Sequence, residues 1–470
     1  MFRNFYLMVM FLSGMVLLIY TGFAGYKEIS PEWKKYQVEY KELLIKNTKD
    51  EASKEKAKSL DMGLKQIYIG DLKRVDRCTS CHLGVDNPLM ANVNLPYKKH
   101  SGDTLKDHPV DKFGCTICHN GQGRATNLKE AHGLGRGTHW DQPIIPFEFI
   151  QSSCASCHDF DMLRKRGKYK VVKGEELFRE RGCKGCHKLE RVGGVLGNAL
   201  DGVGSQPVAY FPMKYVEGEK TIYTWMKEHF EDPRNIVPGS EMLANLTDEE
   251  SDYLTTYVLS LQSEEVPKEY RRIEWVRSLK KAEDEGESLY KMYCVGCHSA
   301  GRESVYDKIF KRTVPAIMNP AFLKAADDQY LKTNILEGRA DTQMTAWMSE
   351  AAGISDEEID KIVGYLTRER PDEKPEPFGS ETSNGDIEYG GNLYRVRCMP
   401  CHGDKGEGGV GLNLRNPVVQ KKASPEFLAI TVRDGRKGTP MAAFGKKGVG
   451  LSDRDIGDVV TYVRTLSKKK

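Results

Sequence analysis

Along the 470-residue chain, hydrophobic and polar positions change rhythm several times. From Phe5 to about Ala24 (FYLMVMFLSGMVLLIYTGFA) the residues are apolar almost without a break, with Arg3 ahead of them and Tyr26-Lys27-Glu28 behind. A run of that length spans a bilayer as a helix. It exceeds the apolar core of a cleaved secretory signal, about seven to fifteen residues, and lacks a good small-residue cleavage pattern. Residues 1–26 are therefore expected to be a retained transmembrane anchor. Residues 27–72 turn Lys- and Glu-rich, with scattered Leu and Tyr and with Trp33, and contain no Cys or His. They read as a charged helical stalk or a packing surface for a neighbouring subunit.

The C-terminal part repeats itself. Three segments, TDEESDYLTTYVLSL from Thr247, SDEEIDKIVGYLTRE from Ser355 and SDRDIGDVVTYVRTL from Ser452, share one design. A hydroxyl residue is followed three positions later by Glu or Asp, a capping-box signature, and the apolar positions after it recur at helical spacing. Ahead of each lies a shorter lead containing glycine, leucine and an aromatic: Gly174, Leu177 and Phe178; Gly286, Leu289 and Tyr290; Gly390, Leu393 and Tyr394. The repeat predicts three small helical domains over 169–265, 280–370 and 384–470, each with its first and last helices packed together. Acidic, proline-rich stretches such as RERPDEKPEPFGSETSNGD read as linkers.

All twelve cysteines fall in one motif, Cys-x-x-Cys-His. In chain order the six pentads hold Cys78, Cys81 and His82; Cys115, Cys118 and His119; Cys154, Cys157 and His158; Cys183, Cys186 and His187; Cys294, Cys297 and His298; and Cys398, Cys401 and His402. Two thiols at this spacing can form thioethers with the two vinyl groups of a haem, and the following imidazole can then bind its iron. Zinc and thiol redox chemistry also use Cys-x-x-Cys, but neither they nor a disulfide framework needs the histidine every time. The motif therefore predicts six covalently bound haem c groups. In these pentads the chain resembles the multihaem c-type cytochromes.

Haem explains the composition. A hydrophobic fraction of 39% is low for this length, and the macrocycles supply the missing apolar surface. The three pentads between Cys78 and His158 leave too little protein for separate cores. Residues 73–168 are thus expected to form one trihaem region of low secondary structure. The formal charge of +3 also misleads. Two propionates per haem add about −12, leaving the mature protein near −9. Nothing argues for nucleic acid, and a basic partner is a better electrostatic match.

The second axial ligands differ between the two halves. The three repeats resemble the class I cytochrome c fold, which places a methionine opposite the histidine. EGRADTQMTAW and DGRKGTPMAAF put Met344 and Met441 in register, and EDPRNIVPGSEML offers Met242. Met213, Met226, Met318 and Met348 read as core fillers, and His229 as structural. Between the first and third pentads His100, His108, His132 and His139 are available, while Met90 is the sole methionine. His108 and His132 resemble distal positions in multihaem cytochromes, and the third place is open between His100 and His139.

The fold expected is mainly α: a transmembrane helix, a multihaem domain, then three class I-like domains. Haem attachment outside the cytoplasmic membrane, which the resemblance implies, would place the body in the periplasm. The function expected is electron transfer from a quinol-oxidising respiratory membrane complex, with this chain possibly a subunit, to a soluble cytochrome or a terminal oxidase or reductase. Methionine ligation raises haem potential, so electrons would run from the anchored end towards the C-terminus. The competing reading is a multihaem redox enzyme of the nitrite, hydroxylamine or peroxidase type. It requires an open iron site, and every pentad here has a candidate sixth ligand.

Overall fold

A computed structural model describes residues 2–29, 31–70, 72–133, 140, 142–262, 285–340, 342–378 and 384–468. It is mainly α. Among the described residues the strands form three antiparallel two-stranded ladders, Ile67–Ile69 with Arg74–Asp76, Lys188–Leu189 with Val192–Gly193, and Val305–Asp307 with Arg312–Val314. Contacts gather the chain into two units, the first from residues 1–157 with 205–211 and the second from the other described residues.

The division between the units falls inside the third pentad, directly after Cys157, and His158 goes with the second unit. The physical reason is the segment that follows. Helix Phe160–Lys165 packs on helix Tyr169–Glu180, and the Phe160 ring lies 5.9 Å from that of Tyr257 in the first repeat.

In the first unit, helix Phe2–Ile29 carries a stretch from Arg3 to Tyr26 that is long and apolar enough to cross a membrane and is not buried against protein. Helix Glu32–Asn47 begins at Pro31, whose extended backbone separates it from what precedes. One face of this helix covers the first pentad. Gln37, fully buried, donates to the carbonyls of Gly63 (2.8 Å) and Ser80 (3.1 Å) and accepts from the Gly63 N–H. Tyr40 packs with Met90 and Tyr97, and the Tyr97 hydroxyl donates to Glu39. The segment read as a stalk is thus partly built into the N-terminal unit, because Tyr and Gln interleave its charges at helical spacing.

In the second unit each repeat closes as expected. Thr247, Ser355 and Ser452 cap their helices in full capping boxes with Glu250, Glu358 and Asp455. The lead helices Tyr169–Glu180, Gly286–Tyr293 and Ile387–Arg397 pack on the closing helices Asp248–Leu259, Asp356–Thr367 and Asp453–Thr465. The repeated glycine marks each crossing. A Cβ on Gly174, Gly286 or Gly390 would collide with the backbone carbonyl oxygen of Tyr253, Lys361 or Asp458. One turn on, the repeated aromatic meets a tyrosine of the closing helix, Phe178 with Tyr257, Tyr290 with Tyr365 and Tyr394 with Tyr462, with centroids 5.1–5.3 Å apart.

The second and third repeats share one core. Leu289, Leu323, Ile359 and Ile362 are continuous with Phe427, Ile456 and Val460, and Tyr330 lies 4.7 Å from Phe427 between ring centroids. The described part of the proline-rich stretch between them is fastened down. Arg370 donates to the carbonyls of Leu323 and Ala326 (both 3.0 Å), and Phe378 is buried in the shared core. Residues 379–383 of that stretch lie outside the described residues.

Gly390→Ala is expected to lower stability by about 1–3 kcal/mol, since the obstructing atom is backbone and has no rotamer to yield. Gly364→Ala, in the closing helix of the second repeat with nothing within 4 Å of its added Cβ, is expected to gain about 0.5–1 kcal/mol. Denaturant unfolding of both variants checks the pair.

Candidate haem sites

Each pentad folds into a single helical turn. The N–H of its second cysteine donates to the carbonyl of the first at 3.1–3.2 Å, and in the first, second, fourth, fifth and sixth pentads the histidine N–H reaches the same carbonyl at 2.9–3.0 Å. The third keeps the cysteine bond, Cys157 to Cys154 at 3.2 Å. A turn of this kind sets both thiols and the imidazole on neighbouring positions of one face. Burial pushes the thiols up, to about 12 for Cys118, Cys183 and Cys294 and to about 11 for Cys81 and Cys398. At Cys118 the neighbouring Cys154 and Cys157 add to the effect, so the second and third turns stand close together. Ser153 joins them directly, its hydroxyl donating to the Cys118 carbonyl (2.6 Å).

In the three repeats the pentad histidine hands its Nδ1 to a backbone carbonyl, His187 to Asn198 (2.7 Å), His298 to Pro315 (3.4 Å) and His402 to Leu412 (2.8 Å). That bond fixes the tautomer whose Nε2 is free for a metal. Burial holds all three imidazoles in the neutral, ligating form, His298 down to about 4. Glycines make room: a Cβ on Gly197 would strike the His187 ring, and one on Gly411 would sit 2.7 Å from Nδ1 of His402.

Cys294, Cys297, His298 and Met344 line one largely apolar cleft, and Cys398, Cys401, His402 and Met441 line another. Pro315, Ile317, Phe322 and Leu412 line both, so the two clefts share a wall. The candidate methionines are held by one device. The backbone N–H of Met344 and Met441 donates to the hydroxyl two residues earlier, Thr342 (3.1 Å) and Thr439 (3.2 Å), and Met242 does the same with Ser240 (3.2 Å). Arg339 and Arg436 border the clefts, and Arg436 lies over the Phe322 ring. Burial pushes its guanidinium down to about 10, so a carboxylate such as a haem propionate would be a favourable neighbour.

The first unit presents paired imidazoles. The rings of His82 and His132 are 6.2 Å apart between centroids and 29° from parallel, and those of His100 and His119 are also 6.2 Å apart, at 74°. Two imidazoles sharing one metal, each nitrogen about 2 Å from it, have their ring centroids about 6 Å apart. Both separations match that spacing. Burial lowers His82, His119 and His132, again favouring the neutral ligand. His100 and His108 turn Nδ1 to the carbonyls of Ser101 (2.9 Å) and Thr104 (3.1 Å). His139 lies outside the described residues. His229, read as structural, is half-buried against Trp225, ring centroids 4.5 Å apart, with no hydrogen-bond partner for its buried Nδ1 among the described residues.

Neighbouring pentads touch in ways the sequence did not announce. The Cys78 and Cys115 side chains approach each other, as do those of Cys186 and Cys297. At the second junction a Cβ on Gly185 would lie 2.7 Å from the Tyr293 carbonyl oxygen and one on Gly296 would lie 3.0 Å from that of Gly182. The fourth and fifth pentads, CKGCH and CVGCH, carry glycine before the second cysteine, whereas the others carry Ser, Ile, Ser and Pro there. That difference was the available signal.

Comparison with known proteins agrees with this chemistry. A family model described as cytochrome c oxidase, cbb3-type, subunit III matches residues 281–366 and 385–463, and the cytochrome c model matches residues 171–262. The cbb3-type cytochrome c oxidase subunit CcoP of Azospirillum sp. (strain B510) is 24% identical over 203 residues, 39% of this chain and 62% of that relative's length. Among solved structures, a chain of the reducing HAO-like protein complex of Kuenenia stuttgartiensis is 19% identical, with 38% of this chain and 94% of that one covered. Its TM-score of 0.24 is below that of a shared arrangement of elements.

Burial lowers His229 from 6.5 to about 4, with His187 adding to the effect. As pH falls through this interval the unfolded chain takes up the proton first, so stability is present above 6.5 and is lost towards 4. His229→Phe is expected to flatten the stability–pH curve there by up to about 1.4 kcal/mol per pH unit, one proton's worth. Denaturant titrations between pH 7 and 4.5 measure it.

Proposed function

We propose that this chain is a multihaem c-type cytochrome that transfers electrons, carrying six haems as a membrane-anchored conductor on the periplasmic side, a reading that the cytochrome c family models and the oxidase-subunit relative support. Bound haem supplies a one-electron ferric/ferrous couple. The polypeptide's part is to attach the groups, fill both axial positions and hold neighbouring sites close.

In this reading His82 pairs with His132 and His119 with His100, leaving His108 and His139 as candidates for the iron held by Cys154, Cys157 and His158. His187, His298 and His402 pair with Met242, Met344 and Met441. The observation that carries the proposal is the 6.2 Å separation of both imidazole pairs. It supports closed coordination at these sites and so favours a conductor over a substrate-binding enzyme. The shared wall between the Met344 and Met441 clefts supports close passage between the last two sites. The Cys186–Cys297 contact supports the same for the fourth and fifth.

Bis-histidine ligation in the first half and methionine ligation in the second set the potentials rising towards the C-terminus. The donor is a quinol-oxidising respiratory membrane complex, of which this chain is a subunit. The acceptor is a soluble cytochrome or a terminal oxidase or reductase. The relative whose name places it in a cbb3-type oxidase supports an oxidase-linked partner, and the apolar N-terminal helix supports anchoring.

Intact mass is expected to give six haems, and the reduced protein is expected not to bind carbon monoxide. Met441→Ala is expected to open one iron, adding carbon monoxide binding and a high-spin ferric signal equal to one haem in six. Wild-type protein that binds carbon monoxide at one haem would favour the enzyme. Met344→His is expected to lower one potential and leave the haem count unchanged, as read by spectropotentiometric titration.

A further inference from the structure

Asp76 ends the second strand of the N-terminal ladder, pairs with Ile67 across it, and is fully buried. Its carboxylate accepts three backbone N–H bonds from two different haem-attachment turns. One oxygen takes Cys78 (3.0 Å), and the other takes Cys115 (2.7 Å) and Thr116 (2.8 Å). A carboxylate oxygen and the sulfurs of Cys78 and Cys115 lie within 4.8 Å of one another. The surroundings are shaped around this arrangement. Gly114, immediately before Cys115, adopts φ +64°, and a Cβ there would fall 3.0 Å from the Asp76 carboxylate and 2.9 Å from Ile69. Arg74, on the same strand, donates to the Thr116 carbonyl (3.1 Å) and fixes the second turn from its other side.

A buried carboxylate is costly unless well solvated by donors, and three N–H groups supply that here. We propose that Asp76 is a shared positioning residue for the haems of the first two pentads, which pins both attachment turns together and biases both irons towards the ferric state. A fixed negative charge at two attachment turns would stabilise the more positive oxidation state of the iron bound at each, and so would lower both potentials together. The inference rests on the proposed haem occupancy of these pentads, and it assigns the low-potential end of the chain to a residue outside every ligand set.

The test uses the full-length detergent-solubilised protein. Intact mass of the wild type first reports six haems, and fewer than six would break the occupancy reading independently of Asp76. Asp76→Asn keeps the shape and removes the charge. Spectropotentiometric titration is then expected to show two of the six potentials shifted upward, with the other four unchanged. Six unchanged potentials in the Asn variant overturn the proposal. If that variant fails to load its haems, Asp76→Glu decides the matter: retained low potentials support the assignment, and two raised potentials overturn it.

Discussion

One turn of helix, used six times, is the constraint on which this chain depends. Cys, Cys and His at positions one, four and five of a turn face the same way, so in the proposed six-haem reading a covalent tether and an axial ligand come from a segment too short to fold alone. The rest of the protein must supply what the turn lacks. It needs a carbonyl for Nδ1, a second ligand from elsewhere in the sequence, and enough burial to keep the imidazole neutral. The repeats do this with Asn198, Pro315 and Leu412 as acceptors and with a hydroxyl that holds each methionine loop. The first unit brings histidines from distant loops into close pairs.

The fold was legible where it depends on short-range rules. The capping boxes at Thr247, Ser355 and Ser452 and the apolar spacing behind them are local, and local chemistry survives folding. The repeated Gly174, Gly286 and Gly390 were visible as a pattern but not as a reason. Only the packed helices show that a backbone carbonyl occupies the place where a side chain would be. Linker composition does not show how the stretch is held, for a comparable reason. RERPDEKPEPF reads as solvated, yet Arg370 reaches two helix-end carbonyls and Phe378 enters the core, neither of which is a property of the stretch itself. The boundary after Cys157 was hidden in the same way, since Phe160 declares its allegiance only once Tyr257 is beside it.

The candidate site divides along the same line. The pentads are contiguous and could be read directly. Partner histidines are not, and sequence alone left His100 and His139 undecided for a third place. It said nothing of which pentad each histidine faces, because pairing is set by loop paths through a region with few regular elements. Asp76 was illegible altogether. A single aspartate among Asp and Glu residues carries no periodic or motif signal, and its role exists only because two turns separated by more than thirty residues converge on it.

In the second and third repeats, packing of Phe322, Tyr330 and Phe427 in a common core fixes the gap between two redox clefts by close contact rather than by tether length. In the proposed reading, transfer across such a gap needs no diffusional encounter of tethered modules. Its rate should therefore be indifferent to solvent viscosity, and the pair should behave as a fixed ruler whose graduation is set by side-chain volume.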